Sequence, residues 1–204
     1  MPATGIYLAS KSPRRQELLR QLGVEFVELQ LREAPGRRSD VVEMPRADEP
    51  AIDYVKRIAR TKASIGWHRM QQRGLPPLPV LGADTEVVLD GAIFGKPAVA
   101  ADAAHMLARL SGRTHEVLTA IALRQERQIV LAVSASLVTL RELTPDEIGR
   151  YVATGEPFDK AGGYAVQGRA AAFIRRIEGS YSGVMGLPLF ETAQALAQAG
   201  FPML

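Results

Sequence analysis

The chain has 204 residues, 47% of them hydrophobic and 23% charged, the balance of a soluble globular protein. Lys and Arg number 25 against 22 Asp and Glu, a net charge of +3, and there is no cysteine. That excludes a disulfide framework, a thiolate zinc site, an iron–sulfur cluster and a cysteine nucleophile.

A chain this long buries roughly 70% of the surface its unfolded form exposes, so residues 1–204 are expected to fold as one domain without staples. No run approaches the ~20 apolar residues of a membrane span. The opening MPATGIYLASKSPRR lacks the apolar stretch of a signal peptide, so the expectation is a cytoplasmic protein with no membrane partner. Basic residues come in scattered pairs (Arg14/Arg15, Arg37/Arg38, Arg175/Arg176), and only 6% of residues are aromatic. Neither a duplex-binding stripe nor a single-strand stacking platform is expected; a small anionic ligand is preferred to a nucleic acid.

In chain order, Ile6 to Ala9 reads as a short apolar strand. Ser12 as N-cap, Pro13 in the first turn, Leu18, Leu19 and Leu22 on one face and Gly23 after the end predict a helix. A strand over Phe26 to Leu31 follows, then a polar loop from Arg32 to Pro50, long enough to suggest function. Ile52 to Ile65 keeps helical spacing, with Gly66 expected to close it. Val80 to Thr85 reads as a buried strand ending in a polar pair, and Glu86–Leu89 with Ala92–Phe94 as a hairpin around Asp90-Gly91. A helix over Ala101–Leu110, paired strands over Val117–Leu123 and Ile129–Leu140, and a capping box at Thr144–Glu147 come next. Phe173–Ile177 as a strand and Leu189–Ala199 as a helix complete the chain. Hairpins interrupt the alternation of strand and helix, which predicts an α/β protein with a mixed sheet.

Three places carry chemistry. A helix N-terminus offers unpaired N–H groups and partial positive charge, and Ser10, Lys11, Ser12, Arg14 and Arg15 surround this one. Cations are unfavourable at that helix end unless an anion offsets them, which favours phosphate or carboxylate binding over a solvated arginine pair. Asp84 is expected where a buried strand reaches the sheet edge; spacing leaves it two roles, a cation or proton acceptor, or a cap for the turn at Thr85. In Gly155–Gly168, Gly162, Gly163 and Gly168 would allow close approach to a ligand and the Gln167 amide suits a base edge, although composition alone favours a loop that only forms turns. Gly91–Lys96 is one residue short of a P-loop and has Pro97 in place of the magnesium-binding hydroxyl, so it is not a Walker motif. His68, His105 and His115 do not cluster, and no zinc spacing, serine elbow or dinucleotide fingerprint appears.

Leu8-Ala9-Ser10-Lys11-Ser12-Pro13-Arg14-Arg15-Gln16-Glu17-Leu18-Leu19, Gly82-Ala83-Asp84-Thr85, Gly95-Lys96-Pro97, Ser111-Gly112-Arg113-Thr114-His115 and Gly155–Gly162, in this order, resemble the Maf family of nucleoside triphosphate pyrophosphatases. The resemblance runs from near residue 5 to near residue 199. It implies a fold similar to the inosine triphosphate pyrophosphatases: a mixed twisted sheet, flanking helices and two lobes around a cleft. It implies hydrolysis of a nucleoside triphosphate to monophosphate and pyrophosphate, with a divalent metal cation (Mg²⁺ or Mn²⁺) held partly by Asp84. The family's proton acceptor falls on Asp84, its specificity positions on Arg14, Thr85 and Gln167, and its other polar site residues on Ser10, Arg15, Lys62, Lys96 and Lys160. Tyr164–Gly168 resembles the subgroup acting on dTTP and UTP rather than on 7-methyl-GTP. Two positions depart from the pattern: the acidic residue after the second strand is Glu33 or Glu43, and Thr61 stands where Glu is common, expected to be peripheral. A homodimer is a further family expectation. The competing reading is a non-catalytic nucleotide-binding regulator of cell division or septum formation.

Overall fold

The computed structural model describes residues 5–32 and 39–201. Glu33, Pro35, Gly36 and the Arg37/Arg38 pair lie outside them.

The wholly buried strand β1 (Ile6–Leu8) leads into α1 (Pro13–Gln21), which buries Leu18 and Leu19. Ser12 occupies the N-cap position but its side chain makes no capping bond; instead Ser10 Oγ accepts the Ser12 N–H at 3.2 Å. Strand β2 (Phe26–Glu28) is shorter than the run to Leu31 that its composition suggested. Helix α2 (Ala51–Gln72) passes through Gly66 instead of stopping there. A Cβ on Gly66 would lie 2.7 Å from Val80 Cγ1 and 3.2 Å from Ala9 Cβ. This glycine marks a close contact with the sheet, and the buried stripe continues through Trp67 and Met70.

Strand β3 (Val80–Leu89) turns at Asp90-Gly91, both at positive φ (52° and 76°), into β4 (Ala92–Phe94). That left-handed pair matches the two-residue hairpin expected there. After α3 (Ala100–Leu110) come β5 (Thr114–Gln125) and β6 (Gln128–Leu140), one long antiparallel ribbon. In α4 (Pro145–Ala153) the capping box closes as read: the Glu147 N–H donates to Thr144 Oγ1 at 3.3 Å, and Glu147 Oε2 accepts the Thr144 N–H at 2.9 Å. Strand β7 (Ile174–Glu178), a five-residue helix α5 (Tyr181–Met185) absent from the sequence reading, and α6 (Leu189–Gln198) follow.

Among the described residues seven strands form one mixed sheet in the order β2-β1-β3-β5-β6-β7, with β4 also on β3. β1 runs parallel to β2 and β3; the remaining pairs are antiparallel. Alternation along β3 sends Gly82, Asp84, Glu86 and Val88 to one face, where Val88 packs with Val55, Ala59 and Ala63 of α2. Leu81 and Ala83 face Leu18, Leu19 and Leu196 on the other side, and Val87 and Leu89 face Leu107, Leu110 and Ile148 of α3 and α4.

One feature of the pairing positions the site. β1 contacts β3 only at Val80 and Leu81, and β4 contacts it only from Val87 to Leu89. Between them, among the described residues, Gly82 to Glu86 have no strand on that edge. β3 does not end at Asp84, as its sequence suggested, because β5 pairs it without interruption from Val80 to Val88. Asp84 therefore lies in mid-strand, beside a gap in the ladder.

Candidate active site

That gap opens a cleft of about 1020 Å³, large enough for a nucleotide. Ser10, Arg14, Arg15, Lys62, Asp84, Thr85, Lys96, Lys160 and Gln167, all singled out from sequence, line it.

The carboxylate wall starts with Gly82. A Cβ there would lie 2.6 Å from both Ala59 O and Ala63 N, so glycine is what lets α2 approach β3 this closely. The approach brings Lys62 over the next residue on the same face: its Nζ donates to Asp84 Oδ1 at 2.8 Å. Lys62 Nζ also lies 2.7 Å from Glu43 Oε1. Burial pushes the Glu43 carboxyl up, but Lys62, Lys96 and Arg15 outweigh it and leave it below the usual range. Of the two acidic candidates from the long loop, Glu43 is thus in the cleft, whereas Glu33 lies outside the described residues.

Asp84 is only 5% exposed, and its Oδ2 is buried without a hydrogen-bond partner. Glu86, two residues on and on the same face, is 9% exposed, and its Oε2 is buried and unpartnered as well. Desolvation and the neighbouring Asp84 push the Glu86 carboxyl up to about 8. Tyr54 of α2 closes this side, its phenol raised by burial and then by Glu86 and Asp84.

A second wall is cationic. Arg14 Nε donates to Met185 O at 3.3 Å and Arg15 Nε to Gly186 O at 2.8 Å. The remaining Arg15 nitrogens donate to Ser10 Oγ and Thr85 Oγ1, each at 3.2 Å. Thr119, fully buried, fixes Thr85 from behind: its hydroxyl lies 2.9 Å from Thr85 Oγ1 and 2.7 Å from Gly183 O. Part of the offset for cations at the start of α1 therefore comes from carbonyls at the end of α5. Burial lowers both guanidinium pKa values, Asp84 pulling Arg15 back up and Asp159 Arg14.

The third side carries Lys96, Lys160 and Gln167. Lys160 donates to Phe158 O at 3.3 Å, and its pKa is lowered by burial and then by Arg14. The loop bearing Gln167 is held by Glu156, which accepts from Tyr151 Oη (3.0 Å), the Arg169 N–H (3.0 Å) and the Ala170 N–H (3.3 Å). A Cβ on Gly168 would lie 2.3 Å from Glu156 Oε1, and one on Gly162 would lie 2.9 Å from Val87 Cγ2. These two glycines admit the chain's own side chains, in keeping with the structural reading of this loop that its composition favoured. Behind the loop, buried His115 meets Tyr164 Oη at 2.7 Å, and burial lowers its pKa to about 4. Thr61 is not among the residues that line the cleft, and its hydroxyl donates to Arg57 O at 2.7 Å.

Among the described residues no group of three or more His, Asp and Glu is arranged to hold a metal, and no helix is long and apolar enough to cross a membrane. Sequence reasoning missed Glu86, Tyr54, Thr119 and the carbonyls of Met185 and Gly186. A signal for Glu86 existed: it follows Asp84 by two residues inside an apolar run, so one unbroken strand puts both on one face.

A model of the family described as Maf-like protein matches residues 5–199. The chain belongs to the Maf family. Maf relatives at near full length include a dTTP/UTP pyrophosphatase of Aromatoleum aromaticum, 57% identical over 199 residues (97% of each chain). Similar Maf proteins are a dTTP/UTP pyrophosphatase of Nitrosomonas europaea, 55% identical over 195 residues (96% of this chain, 94% of the relative), and one of Nitrosospira multiformis, 57% over 194 (95% and 94%). The mixed α/β sheet with flanking helices agrees with a Maf-like fold.

Proposed function

We propose that this chain is a cytoplasmic nucleoside triphosphate pyrophosphatase that hydrolyses dTTP and UTP to the monophosphate and pyrophosphate, acting as one Maf-like domain over residues 1–204. The observation that carries the reading is the two-walled cleft. Ordered arginines face a buried Asp84 whose Oδ2 is unpartnered, amid relatives named for this activity.

The chain's own residues divide the work. Arg14 and Arg15, with the uncapped N-terminus of α1, receive the triphosphate oxygens. Lys96 and Lys160 face the same cleft and offset charge on the departing pyrophosphate. Asp84 orients a water molecule towards the α-phosphorus and accepts its proton, while the bond from that phosphorus to the bridging oxygen breaks. Lys62 holds Oδ1 and leaves Oδ2 without a partner of its own. Gln167, on its Glu156-anchored loop, reads the uracil or thymine edge, and Thr85 lines the same cleft, its hydroxyl met by Arg15 and Thr119.

An unpartnered carboxylate oxygen is a hard donor, so Asp84 fits Mg²⁺ or Mn²⁺; with few protein ligands available, phosphate oxygens and water would complete the shell. Bound there, such an ion supplies positive charge that draws electron density from the α-phosphate.

The test is hydrolysis of dTTP, UTP, CTP, GTP, ATP and 7-methyl-GTP with Mg²⁺ or Mn²⁺, scoring pyrophosphate against orthophosphate. Pyrophosphate from dTTP and UTP is the expected result. Nucleotide binding without turnover would replace the enzyme with the regulator reading. Gln167→Ala should reduce pyrimidine selectivity by roughly 10- to 100-fold, the cost of about one polar partner lost to the bound base. An unchanged nucleotide profile would remove Gln167 from that role.

A further inference from the structure

Glu86 is a carboxyl group without an evident occupation. Its Oε2 is buried and has no hydrogen-bond partner, although it lines the cleft. Alternation along β3 puts it on the same face as Asp84, about 6–7 Å along the strand, near enough for the two side chains to converge. Asp84 Oδ2 is likewise buried and unpartnered. Lys62, the cation nearest to hand, already directs its Nζ at Asp84 Oδ1 and Glu43 Oε1. Two desolvated carboxyl groups side by side, each with an idle oxygen, are costly as a pair of anions, and the cost is relieved by a proton on one of them or by a cation that joins both. A hard divalent ion bound by one or two carboxylates plus phosphate oxygens is the ligand such a pair fits.

We propose that Glu86 is a second cation-binding carboxylate, which with Asp84 forms a paired acidic site on one face of β3 for an ion of the Mg²⁺ or Mn²⁺ type. The inference rests on the proposed cation site at Asp84 and adds a ligand to it. It also accounts for a glutamate in an otherwise apolar strand segment, Glu86-Val87-Val88-Leu89. In this arrangement Glu86 holds the ion from the β4 side of the gap. That leaves the other side to the substrate's phosphates, which come from the α1 wall.

The experiment is Mn²⁺ binding to the intact chain, read by electron paramagnetic resonance of free Mn²⁺. It is run with the metal alone and with the non-hydrolysable analogue α,β-imido-dTTP. Glu86→Gln, which keeps shape and removes charge, should weaken Mn²⁺ binding by roughly 10-fold or more, and Glu86→Asp should recover part of it. Thermal unfolding of each variant checks the fold; if Glu86→Gln unfolds, Glu86→Asp alone must still show weakened binding. Wild-type affinity in Glu86→Gln, together with loss in Asp84→Asn, would overturn the role of Glu86 and leave Asp84 as the site. Absence of Mn²⁺ binding by the wild type in both conditions, or wild-type affinity in both variants, would remove the Asp84 site as well.

Discussion

The two walls of the cleft are built on opposite terms. On the α1 side, Arg14 and Arg15 are tied to the carbonyls of Met185 and Gly186, and Arg15 also to Ser10 and Thr85. On the β3 side, Asp84 has one oxygen held by Lys62 and one left over, and Glu86 has an unpartnered oxygen too. The cationic wall is thus oriented before an anion arrives, so little side-chain entropy is lost on binding. The acidic wall carries unmet demand, and a buried acceptor without a donor is costly until a cation or a water fills the place. The difference teaches that a single cleft can hold a finished binding surface and an unfinished one, the second suited to whatever completes the reaction.

Breaking the acidic wall should have the largest effect. Asp84→Asn is predicted to lower kcat for dTTP by roughly 10³-fold with a much smaller change in KM, while thermal unfolding shows an intact fold. Near-wild-type turnover would remove Asp84 as proton acceptor and as cation ligand together. Gly82→Ala attacks the same wall from behind, since the new methyl would meet backbone atoms of α2 that cannot yield separately. It should destabilise the chain by roughly 3 kcal/mol, the upper end for overpacking, in a denaturant titration. A change within a few tenths of a kcal/mol would mean that α2 does not need its close approach.

His115 lies outside both walls and sharpens the contrast, because its effect falls on stability rather than on substrate. Its folded pKa of about 4 lies below the ordinary 6.5, so folding favours the neutral ring. The contribution is complete above pH 6.5 and is lost as pH falls towards 4. Relative to His115→Gln, the wild type should lose up to roughly 3 kcal/mol across that window, read from urea midpoints at successive pH values. A flat difference between the two proteins would contradict a neutral buried ring. The smallest effect is expected at the cationic wall. Arg15→Lys keeps the charge but loses the fork that reaches Gly186, Ser10 and Thr85 together, and should raise KM roughly 10-fold with kcat little altered. An unchanged KM would show that the preset orientation of Arg15 does not serve binding.

Local signals explain what the sequence disclosed. Pro13 and Gly23 bracket α1, Asp90-Gly91 makes the hairpin, and Thr144 with Glu147 caps α4, each within a few residues of what it controls. Asp84 stood out as a charge inside an apolar run, and the motif resemblance brought together residues that the fold does gather in one cleft. What stayed hidden is non-local. Gly66 reads as a helix stop from its own neighbourhood because a stop and a close contact both use glycine, and only the position of Val80 tells them apart. The carbonyl partners of Arg14 and Arg15 come 171 residues later, from a helix too short to announce itself by periodicity. Dividing β3 after Thr85 concealed Glu86, since the strand's continuity depends on β5 and not on its own composition.

The most direct test of the account is to let the protein hydrolyse dTTP in ¹⁸O-labelled water and locate the label by mass spectrometry. If Asp84 directs water at the α-phosphorus while the cationic wall holds the rest of the triphosphate, the label appears in dTMP and the pyrophosphate is unlabelled. Label in the pyrophosphate would place the attack on the β-phosphorus and contradict the division of labour between the two walls.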